Sequence, residues 1–233
     1  MVYLWRFIER RLGTVIFGFS SGIEYRFGKN GTAVLTSVGT CNDKHIIIPE
    51  FIDGKTITEV DDKAFCRCDN IISITLPHTV SRIGKAAFAW CTKLELVKAS
   101  GVIEIDDKAF MGCDRLSDIG LGSKIKRLGK KAFAYCISLA SAMLPSSICE
   151  IGPSAFEGCR SLDCASLPEN LKIVPSGLFY ACTSLYSIEL GKSVRYIDEY
   201  SFAYCSSLES INIQRDTVIN QNAFCECGAR TAS

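Results

Sequence analysis

The segment that decides the fold is IGKAAFAWCTKLELV, residues 83–97. A Trp beside a Cys suggests a nucleophile, a metal ligand or half a disulfide, but the same words return as AFAYC at 132–136 and FAYC at 202–205. Working outward, Phe recurs at Phe65, Phe88, Phe110, Phe133, Phe156, Phe179, Phe202 and Phe224, always 22 or 23 residues apart. Three residues after each stands Cys68, Cys91, Cys113, Cys136, Cys159, Cys182, Cys205 or Cys227. Six after stands Ile71 or a Leu as far as Leu208, and five before stands Val, Ile or Leu in every copy. AFAWC is therefore a unit of construction, repeated eight times.

A unit of this length cannot bury its own apolar face, so the copies must stack and share a core. Ile83, Ala87, Phe88, Cys91 and Leu94 fall at helical spacing, and the residue four before each Phe is mostly an N-cap type such as Asp61, Gly84 or Asp106. This predicts a turn or two of helix per copy. ELVKAS and SIELGK alternate as short strands do. The expected fold is α/β: a right-handed leucine-rich-repeat solenoid, with a parallel sheet on one face and short helices on the other. Residues 57–233 form the solenoid, with the eighth copy truncated. Residues 19–56 form an N-terminal β-hairpin cap turning at Asn30-Gly31, and residues 1–18 a leader or capping segment.

IGKAAFAWCTKLELV and IDEYSFAYCSSLESINI resemble the BspA-type leucine-rich repeats of bacterial and protist surface proteins. IEYRFGKNGTAVLTSV resembles the hairpin that often leads into such arrays. The resemblance covers residues 57 to about 227. It implies adhesion and protein–protein binding, frequently at the cell surface, with a host or bacterial protein as ligand. The start of the chain reads poorly as a signal peptide, because Glu9 interrupts it. An intracellular scaffold or purely structural array is the alternative.

Equivalent positions of stacked copies lie one strand spacing apart, so the sequence can be read down columns. Six before each Phe runs Glu59, Arg82, Glu104, Arg127, Glu150, then Ile173 and Tyr196; three before begins Asp62, Lys85, Asp107, Lys130. Copies one and three share DDKAF, while two and four read GKAAFA and GKKAFA, as if a two-copy unit had been duplicated. Opposite charges then meet between neighbours, and a slip by one copy would set like against like, so the ladder reads as a register device. Two after each Phe, the column alternates large and small as Trp90, Gly112, Tyr135, Gly158.

The Cys column reads as core. Small buried thiols suit the interior, and parallel side chains on neighbouring rungs approach poorly for disulfides. Cys66-Arg67-Cys68 and Cys225-Glu226-Cys227 lie at opposite ends of the array and do not make one zinc site. Cys41, Cys149 and Cys164 fall outside the period and are the more plausible reactive thiols. His45 and His78 have no catalytic motif around them. LGKS at 190–193 lacks the first Gly of a phosphate-binding loop. No catalytic residue, metal or cofactor is predicted.

The net charge is +1 and 48% of residues are hydrophobic, which favours neither nucleic acid nor an anionic membrane surface as partner. The basic stretch SKIKRLGKK at 123–131 reads as a solvated face. No apolar run reaches the length of a membrane-spanning helix. Binding is then expected through the sheet face, whose outward positions are mostly small and polar. Leu96, Lys98, Met143, Tyr186 and Glu189 are its least generic members and the expected contacts. After Cys227 the period fails at position 230, which leaves end-to-end association through the last rung as an open possibility. Asn30-Gly31-Thr32 is the only N-glycosylation sequon.

Overall fold

A computed structural model describes residues 19–28 and 30–229. The expected leader at 1–18 and the lost Leu position at 230 lie outside the described residues.

Each copy runs around three faces. A short strand of three or four residues is followed by a turn, a two-residue strand, and a tract of tight turns that carries the Phe and Cys. On the first face His45–Ile47, Ser73–Thr75, Leu96–Ala99 and Asp118–Leu121 pair in parallel. Ser141–Met143, Cys164–Ser166 and Ser187–Glu189 continue as a second parallel sheet. On the second face the pairs Glu59–Arg82, Arg82–Glu104, Glu104–Arg127 and Arg127–Glu150 hold one register, one copy per rung. Ahead of them Glu24–Phe27 pairs antiparallel with Thr32–Ser37, which pairs in parallel with Lys55–Val60. The connection from Phe27 to Thr32 is longer than the two-residue turn expected at Asn30-Gly31, and the Gly28 N–H donates to the Thr32 carbonyl across it at 2.9 Å.

The second-face ladder breaks between Glu150–Ile151 and Ile173–Val174. A donor present in the other copies is missing at this seam. In the other copies the residue four before Phe donates its N–H to the preceding rung: Asp106 to Ile83 at 2.9 Å, Gly129 to Ile105 and Gly152 to Leu128 at 2.7 Å, Asp198 to Val174 at 3.0 Å. In the sixth copy that residue is Pro175, which has no N–H.

The predicted helices are absent: among the described residues the third face contains only turns. Its backbone alternates two kinds of hydrogen bond. Ala87, Ala89 and Cys91 donate within the copy to Gly84, Ala86 and Phe88, three residues back, at 3.1–3.2 Å. Ala86, Phe88 and Trp90 donate outward to Asp107, Ala109 and Met111 of the next copy at 2.7–2.9 Å. Ala86 and Trp90 adopt φ of 53° and 63°, and the equivalent left-handed residues recur along the stack. Each non-Gly residue in that region costs on the order of 1 kcal/mol, and the bonds between copies hold it there.

The reason is spatial. The Phe rings of successive copies stack 5.0–5.7 Å apart, whereas packed helix axes need about 8–10 Å. A helix does not fit on every rung at this pitch, while extended turns bonded to their neighbours do. The apolar spacing that suggests a helix is met equally by two consecutive tight turns.

Candidate binding surfaces

The core ladders explain why the most repeated residues are the least available. Phe65 to Phe202 are fully buried and stacked, and Phe224 is half-buried on the last rung. Such pairs contribute about 0.5–1.5 kcal/mol each beyond their burial. Beside them each thiol donates to the Phe carbonyl of the preceding copy: Cys91 to Phe65 at 2.9 Å, then Cys113 to Phe88, Cys136 to Phe110, Cys159 to Phe133, Cys182 to Phe156 and Cys205 to Phe179, all at 3.1 Å. The same carbonyls accept the in-copy Cys N–H, so the thiol occupies the second lone pair of a buried oxygen. Cys68 and Cys227, on the end rungs, are half-buried, and Cys227 bonds to the Cys205 carbonyl instead.

All thirteen cysteines are free thiols. Burial pushes Cys91 and Cys159 up to about 12, and moves Cys113, Cys136, Cys182 and Cys205 in the same direction. These groups stay protonated and are poor nucleophiles. Of the three cysteines outside the period, Cys41 is buried and raised by that burial, and Cys164 is raised by its hydrogen bond with Asp163. Only Cys149 is exposed. His45 meets the Ser73 hydroxyl at 2.9 Å, and His78 lies 3.7 Å from Glu50.

The charge column is built differently from the sequence expectation. Glu59, Arg82, Glu104, Arg127 and Glu150 do lie side by side, and Arg82 reaches Glu59 at 3.3 Å while Arg127 reaches Glu150 at 3.4 Å. The two arginines meet on Asp106 rather than on Glu104. Arg127 bonds it at 2.9 Å and Arg82 from the other side. The Asp106 carboxyl keeps only 16% of its exposure, and among the described residues Glu104 makes no ion pair. Two further carboxylates cross rungs to backbone: Asp62 accepts the Lys85 N–H and Asp107 the Lys130 N–H, each at 2.8 Å. Both need a glycine beside them. A Cβ on Gly84 would stand 2.6 Å from the Asp62 carboxylate, and one on Gly129 2.7 Å from that of Asp107. The alternation of DD with GK is thus a fit of acid against glycine and backbone N–H, and the expected pairing of Asp62 with Lys85 and of Asp107 with Lys130 through their side chains is not seen among the described residues.

The large–small column is a similar fit. A Cβ on Gly112 would lie 2.3 Å from the Trp90 ring, and one on Gly158 2.7 Å from Tyr135. Each ring lies over the glycine of the next rung, and Trp90 remains 40% and Tyr135 38% exposed.

On the sheet face the five expected contact residues do not form one site. Leu96 and Lys98 share a strand of the first sheet, Leu96 half-buried and Lys98 exposed. Met143 and Glu189 belong to the second sheet, two strands apart in one column, and Tyr186 lies just before the strand Ser187–Glu189. Met143 and Tyr186 are 62% and 59% exposed.

Stacked parallel strands over Phe, Leu and Cys ladders, with open faces, define a leucine-rich-repeat solenoid. The chain belongs to the BspA type leucine rich repeat region family, whose pattern matches residues 39–139 and 103–230. It is similar to the T. pallidum leucine rich repeat protein TpLRR: 31% identity over 80% of this chain and 88% of that one, with a TM-score of 0.76. A leucine-rich repeat protein from Bacteroides ovatus shares 24% identity over 85% of this chain and 60% of its own, at a TM-score of 0.67. The pneumococcal vaccine antigen PcpA shares the fold at 18% identity and a TM-score of 0.50, over 85% of this chain and 70% of its own. No curated protein matches the sequence.

Proposed function

We propose that the chain is a non-enzymatic interaction and adhesion module that binds a protein ligand through the extended sheet face. The observation that carries this reading is the exposure of Met143 on the second sheet and of Tyr186 at the entry to its last strand, beside outward positions otherwise made of Ser141, Cys164, Ser166, Ser187 and Glu189. Anchors of this kind, in a shallow polar surround, carry most of the energy of protein interfaces. Membership of a repeat family of surface proteins supports it, as does the uniform interior, which places no activated thiol beside a histidine. In this reading the antiparallel pair at 24–37 covers the first rung as a cap.

The test is binding of purified protein to intact bacterial and host cells, with the ligand identified by cross-linking at residue 143 or 186. Met143→Ala with Tyr186→Ala should weaken the identified interaction about tenfold or more; unchanged binding would sink the proposal. A second reading, an intracellular scaffold, is favoured by the thirteen unpaired cysteines, since oxidising compartments tend to pair them. Localisation by fractionation separates the two.

A further inference from the structure

The turn face, away from the sheet, carries a second surface. Trp90 and Tyr135 lie on rungs two and four, with Gly112 between them. The Phe ladder beneath advances 5.2 and 5.3 Å over those two steps. Each ring has its inner side against the next copy's glycine backbone, so its outer side is the part left in solvent. Two flat apolar platforms at this separation match successive disaccharide units of an extended β-linked glycan, whose pyranose C–H faces stack on aromatic rings.

A basic basin adjoins these platforms. Lys85, Asp107, Lys108, Met111, Lys130 and Lys131 line one shallow depression across the same rungs. Met111 is the residue before Gly112, and its carbonyl accepts the Trp90 N–H at 2.7 Å. On the other side Tyr135 donates its hydroxyl proton to Glu157, which also holds Lys131 at 3.1 Å. Among the described residues Lys85, Lys108 and Lys130 make no ion pair, and all three are exposed. Three acids stand near them: Asp62, which accepts the Lys85 N–H and pairs with Arg82, Asp107, which accepts the Lys130 N–H and keeps its charge, and Glu157, neutralised by Lys131. The four lysines, set against Asp107 and Glu157, leave the depression a net charge of +2, and with the two sugar-stacking platforms it is complementary to an anionic saccharide.

We propose that this face binds a linear acidic polysaccharide, with sugar rings on Trp90 and Tyr135 and carboxylate or sulfate groups on Lys85, Lys108 and Lys130. The surface is separate from the protein-binding sheet face. A single-stranded nucleic acid offers stacking and charge as well. It offers a base at every nucleotide, however, whereas Trp90 and Tyr135 stand two rungs apart, a spacing that suits the longer disaccharide repeat better.

Isothermal titration of the whole chain with hyaluronan and heparin oligosaccharides, neutral dextran and oligothymidylate is the test. An acidic glycan should bind, more tightly than dextran or oligothymidylate, and added salt should weaken it. Trp90→Ala and Tyr135→Ala should each weaken it about tenfold. Ala181 occupies the same left-handed position at φ 57°, so alanine is accommodated there, and an unchanged circular dichroism melt checks the fold. Lys85→Gln with Lys130→Gln should weaken binding and flatten its salt dependence. Met143→Ala and Tyr186→Ala should leave it unchanged. The proposal is overturned if neither acidic glycan binds at low salt, if the aromatic variants bind like the parent, if oligothymidylate binds tightest, or if the sheet-face variants lower affinity.

Discussion

The two halves of the array share one core and one turn-face backbone, and differ on the second face laid over it. From Glu59 to Ile151 the second face is a continuous parallel ladder, with alternating charges, acids set on glycines and rings set on glycines. From Ile173 onward the charges give way to Ile173, Tyr196 and Val218, the ladder is interrupted, and Pro175 stands at the break. The Phe stack nevertheless crosses the break without interruption, from Phe156 to Phe179 at 5.7 Å, and the Cys182 thiol still reaches the Phe156 carbonyl at 3.1 Å. The interior ladder, the turn-face hydrogen bonds and the first-face sheet thus continue where the second-face ladder and its charges do not.

If the interior is the common support, removing it should collapse both halves together, and alkali does this without a mutation. Unfolded thiols ionise near 8.5, whereas burial holds Cys91 and Cys159 up at about 12 and moves Cys113, Cys136 and Cys182 well up too. Below pH 8 both states are protonated and the thiols impose no pH dependence. As pH rises, the unfolded chain loses protons that the folded chain keeps, so folding is disfavoured by about 1.4 kcal/mol per pH unit for each buried thiol. Five such groups exhaust a typical stability of about 5–15 kcal/mol within one to two units. The protein should unfold cooperatively near pH 10 in one transition. Cys136→Ser with Cys159→Ser should move the midpoint upward. Stability that stays flat to pH 10.5 would contradict the buried thiol ladder, and two separate transitions would show that Pro175 divides the molecule.

Next in size is the charge column of the first half. Arg127→Glu would place a carboxylate against Glu104, Asp106 and Glu150 and should cost about 1–3 kcal/mol by chemical denaturation. A loss under about 0.5 kcal/mol, ordinary for surface changes, would remove the register role. The hub is tested by a contrast: Asp106→Ala should cost about 1–2 kcal/mol and Glu104→Ala well under 1. In the second half Ile173→Glu meets no such network and should be close to neutral, which is the comparison restated as a measurement.

The Phe, Cys and Leu columns were legible because a period of 22–23 residues leaves only stacked copies able to bury them. The helix reading failed because Ile83, Ala87, Phe88 and Cys91 satisfy a helix and a pair of tight turns equally. The 5 Å rung pitch that decides between them is a property of the stack, invisible in one copy. Glu59 to Glu150 were legible as a column of alternating sign. The preference of Arg82 and Arg127 for Asp106 was not, because it depends on how far each side chain reaches across the rung. Gly84 and Gly129 stood in plain view as small residues opposite acids, but only the crossing of Asp62 and Asp107 to the next backbone gives them a reason. No residue of the sheet face repeats in a way that marks a ligand, so contacts there could be guessed only as departures from Ser and Thr.

The smallest expected effect concerns the break itself. Pro175 occupies a position where Asp61, Asp106 and Asp198 stand in other copies, each donating its N–H to the rung before. Pro175→Asp restores that donor opposite the Ile151 carbonyl. The new hydrogen bond should contribute about 0.5–1.5 kcal/mol, while the loss of proline's restraint on the unfolded chain returns about 0.4–1 kcal/mol. The net change in global stability should therefore lie near zero. Local opening is more sensitive, because it is governed by the bonds at the seam and not by the whole core. Hydrogen exchange should show a protected amide at position 175 in the variant and slower exchange at Val174 and Ile197. An amide at 175 that exchanges at the rate of an open chain would mean that something other than the missing donor separates the two halves.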